Sequence, residues 1–500
     1  MGEEVKQSAQ SRKQTKKPLV LASVMLAMFM GAIEATIVST AMPAIVADLG
    51  GFTLYSWVFS AYLLMNSVTV LIYGKLSDLF GRKPILTFGI IIFLIGSILC
   101  GFATSMQMLI IFRLIQGFGA GAVAPIATTI VGDIYTPEER AKIQGYLSSV
   151  WGISAITGPA IGGLLVQYVN WKYVFWINVP LGILSLVGLW LFLHENVKHK
   201  KHEIDYSGAV LLTITISSIM LLLVEGGSRW TWGSWQAVSL SALAIVTMIA
   251  FVFQEGRVKE PMMPFSIWKE RPIFIANIVS LTTGIMLIGI SSFLPTFVQG
   301  VMEQTPIVAG FTLTAMSIGW PIASTLSGKM LLTLGYRKTS VIGGVFLIVG
   351  SIFFVMMTAS SGPVWAAVGS FLVGIGMGLT STAFIVSIQS TVSWEQRGIA
   401  TAANMFMRNL GNTIGAALLG GILNNRMVNF FQQKDSTLTV DDANKLLKAD
   451  ERAHLPSSVR TILQDGLTNS LHSVYYVVFV FAIISMLFIL FIPRKNKRPI

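Results

Sequence analysis

Charged residues are scarce in this chain. Asp, Glu, Lys and Arg make up 12% of its 500 residues, against roughly 25% in water-facing globular proteins. So little charge cannot cover a water-facing surface, which excludes an ordinary soluble enzyme and makes lipid the main solvent. Cysteine is almost missing. The single Cys100 lies in an apolar run, so internal disulfides are excluded and the redox compartment is left open. No Gly-x4-Gly-Lys-Ser/Thr phosphate loop occurs. The nearest approach, Ala323 to Met330, lacks both the first Gly and the hydroxyl, which argues against direct use of ATP. Histidine is limited to five, and His194, His199 and His202 stand in a lysine-rich segment. That segment reads as a solvated basic loop rather than a metal site.

What is present is apolar: 53% hydrophobic residues, with 46 Gly and 23 Met. Crossing ~30 Å of hydrocarbon takes about 20 apolar residues. Such runs are expected near 18–40, 55–73, 84–102, 107–131, 142–166, 173–193, 206–225, 235–253, 272–298, 306–327, 338–358, 363–389, 398–423 and 471–492. The polar stretch 1–17 reads as a cytoplasmic tail. The apolar run after it is longer than a typical signal-peptide core and contains Glu34, so it reads as a retained first span. With the N-terminus inside, the inner segments hold 25 Lys and Arg, while the short outer loops hold only Lys172 and Arg229. This positive-inside bias puts both termini in the cytoplasm. It also turns the net charge of +12 into an orientation signal rather than a nucleic-acid footprint.

The chain repeats itself. Gly74-Lys75-Leu76 and Gly81 recur as Gly328-Lys329-Met330 and Gly335, shifted by 254, and Arg82-Lys83 as Arg337-Lys338, shifted by 255. Gly117-x-Gly119-x-Gly121 recurs as Gly374-x-Gly376-x-Gly378, and Glu138-x-Arg140 as Glu395-x-Arg397, both shifted by 257. The expected fold is therefore an all-α polytopic membrane protein with 14 transmembrane spans. Two six-helix bundles, 18–193 and 272–492, flank two inserted spans in 206–253, and a large outer loop covers 424–470. Parallel repeats of this kind rock about a shared central cavity.

Few polar residues fall within the spans. An ionised Glu34 at bilayer depth costs about 3 kcal/mol or more, so it is expected to face a cavity or a partner and to carry a proton. Arg113 cannot deprotonate. It is expected to face the cavity and meet Glu34 directly or through polar groups, with Gln116 and Gly117 on its face. Asn404, Arg408 and Asn412 form one stripe at i, i+4 and i+8, either lining the cavity or gluing helices. Gly152, Gly158-Pro159 and Gly162-Gly163 are expected to pack span 5 closely and bend it.

With these residues assembled, the chain resembles the major facilitator superfamily, and within it the fourteen-span drug:proton antiporter branch. Gly74-Lys75-Leu76-Ser77-Asp78-Leu79-Phe80-Gly81-Arg82-Lys83 resembles the superfamily's loop signature. That likeness implies a cytoplasmic latch of Asp78 and Arg82 with Asp133, holding the outward-open state. Leu332 stands at the repeat position of Asp78, so the latch would be one-sided. Leu109-x3-Arg113-x2-Gln116-Gly117 is similar to the proton-coupling motif of span 4, and the span 5 glycines to the exporter motif. Glu34-Ala35-Thr36-Ile37-Val38 resembles the branch's first-span motif, which usually carries Asp. The resemblance implies a non-enzymatic, proton-driven exporter of lipophilic or cationic small molecules. It would need no cofactor and no nucleic acid, and would act as a monomer in the bilayer of a bacterial cell membrane. Nutrient uptake, or export of a specific lipid, peptide or siderophore, is the alternative.

Overall fold

The computed structural model describes residues 15–135, 137–195, 205–226, 229–258, 265–392, 397–434 and 438–493. They are helical nearly throughout. The helices are α1 (Lys17–Leu49), α2 (Tyr55–Phe80), α3 (Arg82–Gly101), α4 (Met106–Ala120), α5 (Val123–Ile134), α6 (Pro137–Tyr168), α7 (Tyr173–Trp176), α8 (Asn178–Phe192) and α9 (Tyr206–Glu225). They continue with α10 (Trp235–Arg257), α11 (Arg271–Thr296), α12 (Pro306–Val355), α13 (Gly362–Thr391), α14 (Arg397–Gln433), α15 (Asn444–Leu447), α16 (Ala449–His454) and α17 (Ser457–Leu490). Ordinary start signals set several of these ends. Ser105, Asp205, Ser234 and Thr305 accept from backbone N–H groups two or three residues into the following helix.

Among the described residues, 12 helical segments are long and apolar enough to cross a membrane. One of them, α12, runs for 50 residues and is interrupted at Gly335, where φ is 76° and ψ 171°. α14 is not among the twelve, because Arg408 and its many asparagines dilute its apolar character. The expected outer loop 424–470 contains helix at both of its ends. α14 continues to Gln433 and α17 begins at Ser457, since helices leaving the bilayer can be polar when their side chains find partners. Asn424 donates to the Thr53 carbonyl at 2.7 Å, and Arg460 pairs with Glu303. The expected fourth span is one candidate crossing, Met106–Ile134, with a turn at Gly121 between α4 and α5.

The internal repeat reappears as repeated packing. Gly81 and Gly335, equivalent by sequence, both take the positive φ that favours glycine, 97° and 76°. A Cβ on Gly117 would meet the Tyr62 carbonyl at 2.4 Å, and one on Gly374 would meet that of Met316 at 2.2 Å. Gly119 faces the Gly89 carbonyl as Gly376 faces that of Gly343, and Gly121 faces Asn66 as Gly378 faces Trp320. Each partner pair keeps the offset that separates Gly81 from Gly335. The Glu138 and Glu395 repeat lies outside the residues whose side chains are described.

One apolar cluster joins the two repeat units near the loop 438–456. Ile37, Met42, Phe52 and Tyr55 pack there with Phe293, Phe297, Leu463 and Tyr475. Tyr55 also donates to the Ser292 carbonyl, and its hydroxyl accepts from Thr296 at 2.9 Å. Towards the Lys17 end the cores separate. Val24, Leu86, Phe93 and Leu189 form one cluster, while Ile275, Phe384, Ile388 and Ile489 form another. The molecule is thus closed at the loop end and divided at the opposite end.

Candidate functional site

Glu34 sits midway along α1, fully buried, and its carboxylate is shared between two helices. Arg113 of α4 pairs with Oε1, and Asn178, the first residue of α8, donates from Nδ2 to Oε2 at 2.6 Å. Arg113 also donates to Gln116 Oε1 at 2.6 Å and, from Nε, to the Val58 carbonyl of α2 at 3.2 Å. Gln116 donates in turn to Ser97 Oγ of α3 at 2.6 Å. The guanidinium lies over the Tyr62 ring, 4.1 Å from its centroid, a favourable cation–π placement. Five helices of the first repeat unit therefore converge on one ion pair.

The direct Glu34–Arg113 contact expected from sequence is present. Of the cavity or partner expected for Glu34 the structure shows the partner, and Arg113 does not face a cavity as expected: Glu34 is 0% and Arg113 2% exposed in this conformation. The correction has a physical cause. Arg113, Asn178 and Gln116 satisfy the carboxylate and one another, so the group has no need of water. Cancelling the buried charge in place removes most of the cost that a cavity was invoked to relieve. Sequence reasoning missed Asn178, Ser97 and Tyr62. A lone Asn opening an apolar run is the one signal that could have flagged Asn178.

The glycine-proline run of α6 forms the seam between the repeat units. A Cβ on Gly158 would strike Thr36 Oγ1 at 2.0 Å, two residues from Glu34, and one on Gly162 would crowd the Ile37 carbonyl at 2.9 Å. Gly163 faces Ile307, Gly152 lies near Pro321, and Gly310 approaches the Pro159 carbonyl to 2.2 Å from its notional Cβ. Pro159 lies inside the helix, as expected.

At the other end, Arg82 Nε lies 3.3 Å from Asp133 Oδ2. Asp78 belongs to α2, but its side chain is outside the described residues. The Arg82–Asp133 contact is made while the loop end is packed shut, so by itself it does not mark the opposite state. Glu195 joins this corner unannounced by sequence. Its carboxylate accepts from the N–H groups of Arg82 and Lys83 at 2.8 and 3.0 Å, capping α3, and Lys83 caps α8 through the Leu193 carbonyl at 2.8 Å.

The polar stripe of α14 divides in role. Asn404 is buried and donates to Asn277 Oδ1 at 3.1 Å and Ser280 Oγ at 2.9 Å, both on α11. It glues helices. Arg408 and Asn412 are only half-buried. A cavity of about 610 Å³ lies elsewhere, between α9, α14 and α17.

Residues 24–416 match the Major Facilitator Superfamily. The chain is 33% identical to the multidrug transporter protein MdtP of Bacillus subtilis (strain 168), covering 97% of this chain and 95% of that protein. It is 34% identical to multidrug resistance protein 3 of the same organism, covering 97% of each. Among solved structures, a bacterial homologue of the human lysosomal transporter Spinster, inward-facing and unoccupied, superposes with a TM-score of 0.64 at 16% identity, over 94% of this chain and 96% of that one. The nucleoside transporter NupG gives 0.61 at 14%, over 94% and 98%. These two likenesses concern the fold alone.

Proposed function

The chain belongs to the Major Facilitator Superfamily, a family of membrane transporters rather than enzymes, and from that premise we propose that it exports amphipathic small molecules in exchange for protons. The multidrug names of its relatives support export of drug-like compounds. The observation that carries proton coupling is the Glu34–Arg113 pair, sealed inside the first repeat unit. With Glu34 ionised, the two charges cancel and the closed packing around them is tolerated. With Glu34 protonated, the guanidinium keeps Gln116, the Val58 carbonyl and the Tyr62 and Phe175 rings, none of them charged. A buried charge that loses its partner is costly, so protonation favours a conformation that admits water. Alternating access follows if the loop end opens as the opposite end closes. Asp78, Arg82 and Asp133 would then steady the Lys17 end, and the α6 glycines would form the seam that parts.

We count fourteen spans by treating the two arms of α12 on either side of Gly335 as separate crossings and adding α14. With both termini cytoplasmic, the conformation described is open towards the cytoplasm. The cationic preference expected of a cavity-facing Glu34 is not carried over, because its carboxylate is already neutralised in place. The test is transport by purified protein in liposomes. One charge crossing 100 mV supplies about 2.3 kcal/mol, roughly a 40-fold gradient. Wild type should concentrate substrate to that order, and Glu34→Gln should only equilibrate it. Undiminished uphill export by Glu34→Gln would refute the assignment.

A further inference from the structure

Arg408 stands about 17 Å along α14 from Arg397 at 1.5 Å per residue, and it has no hydrogen-bond or ion-pair partner among the described residues. Its neighbour Asn412, one turn on, is also without a hydrogen bond among the described residues, so its Nδ2 is available to donate. The other sides of α14 are occupied. Gly411 and Gly415 turn one side onto α11, where an added Cβ would meet the Leu281 carbonyl at 2.1 Å and Ile285 Cα at 2.8 Å. Thr413 turns another onto α2, its Oγ1 3.1 Å from that of Ser67. Gly421 turns a third onto α9, against the Leu223 carbonyl at 1.9 Å. The face left over carries Met405, Arg408 and Asn412, at i, i+3 and i+7. It lies between α11 of one repeat unit and α2 of the other, and so fronts the space between them. Met405 is 42% exposed there.

We propose that this face of α14 is an oxyanion subsite, with Arg408 and Asn412 donating to the carboxylate of an amphipathic organic acid that the protein carries. A guanidinium cannot shed its proton, and its planar fork matches a carboxylate. Held between membrane helices with no counter-charge among the described residues, it is costly, and an arriving anion offsets that cost where a cation would add to it. Glu34 cannot serve as the counter-charge, because Arg113 and Asn178 already hold it. This assignment of substrate class rests on the transport reading above, but its test does not require coupling.

The full-length protein in nanodiscs of zwitterionic lipid is titrated by fluorescence with a pyrene-alkanoic acid and its primary amide, without any gradient. Wild type should bind the acid about tenfold more tightly than the amide, Arg408→Gln should bring the ratio to about one, and Arg408→Lys should keep part of it. Equal affinities in wild type, or a preference that survives in Arg408→Gln, would overturn the subsite. An anionic phospholipid added to the nanodisc separates a second source of the same chemistry. If the lipid abolishes the acid preference and is retained by wild type but not by Arg408→Gln in native mass spectrometry, the anion is a headgroup and the substrate assignment falls. Binding that fails here leaves the Glu34→Gln transport result untouched, and the reverse holds too.

Discussion

Neutralising Arg113 alone would strand the Glu34 carboxylate with only Asn178 for a donor. Losing one member of a buried pair costs about 3–5 kcal/mol, whereas replacing both members is often close to neutral. Arg113→Gln should therefore lower the melting temperature in detergent markedly, and the double variant Glu34→Gln with Arg113→Gln should recover most of that loss. A double variant less stable than both singles would mean that the pair is not held as described. A second titrating group lies outside the membrane, in the loop. Burial works to raise the Asp442 carboxyl, but the Lys445 ammonium and the Thr439 N–H and hydroxyl outweigh it and leave it below its ordinary 3.8. A lowered folded value means that the stabilisation is complete above the unfolded value and is lost as pH falls through the folded one. Protection factors across 438–448, taken relative to the intrinsic exchange rate at each pH, should thus stay flat down to about pH 4 and fall only below that. The Glu34–Arg113 contact was legible because two ionisable residues inside apolar runs have few places to go. Asn178, Ser97 and Tyr62 were not, since they come from α8, α3 and α2, and only packing brings them together.

Glycine decides how closely α6 and α12 approach each other. Gly310→Val would place a Cβ 2.2 Å from the Pro159 carbonyl, a backbone atom that cannot swing aside. The closed loop end should be excluded, and spin labels flanking it should report a wider separation than in wild type. Gly328, whose added Cβ meets nothing within 4 Å, provides the control: Gly328→Ala should leave the distances unchanged and gain up to about 1 kcal/mol of helix stability. A wild-type distance in Gly310→Val would show that the seam is softer than it looks. At this scale most of the fold could be read in advance, because an apolar run long enough to cross a bilayer has almost no alternative to a helix. Composition says less at polar ends. The segments 424–433 and 457–470 read as loop by composition, yet they are helix, supported by Asn424 on Thr53 and Arg460 on Glu303. Breaks inside runs, such as that between α4 and α5, leave no hydropathy signature.

Over the whole molecule, the proposed alternating access makes the closed loop end and the divided opposite end one of two states, and the sidedness of that state depends on how many times the chain crosses. The background for measuring this is favourable, because Cys100 is fully buried. Single cysteines at Gln304, Lys329, Ser360 and Asp450 sample the segments in question. If α12 crosses twice, positions 304 and 360 lie on one side and 329 on the other. If α14 also crosses, position 450 joins 304 and 360. An impermeant maleimide applied to intact cells should therefore label Gln304→Cys, Ser360→Cys and Asp450→Cys, while Lys329→Cys reacts only after permeabilisation. Opposite sides for 304 and 360 would make α12 a single crossing. Opposite sides for 360 and 450 would remove α14 from the membrane, and with it the reason for placing Arg408 before a central passage. The stripe and the span count therefore stand on the same measurement: a helix carrying at mid-length a guanidinium with no partner among the described residues can cross a bilayer only if that face is turned towards water.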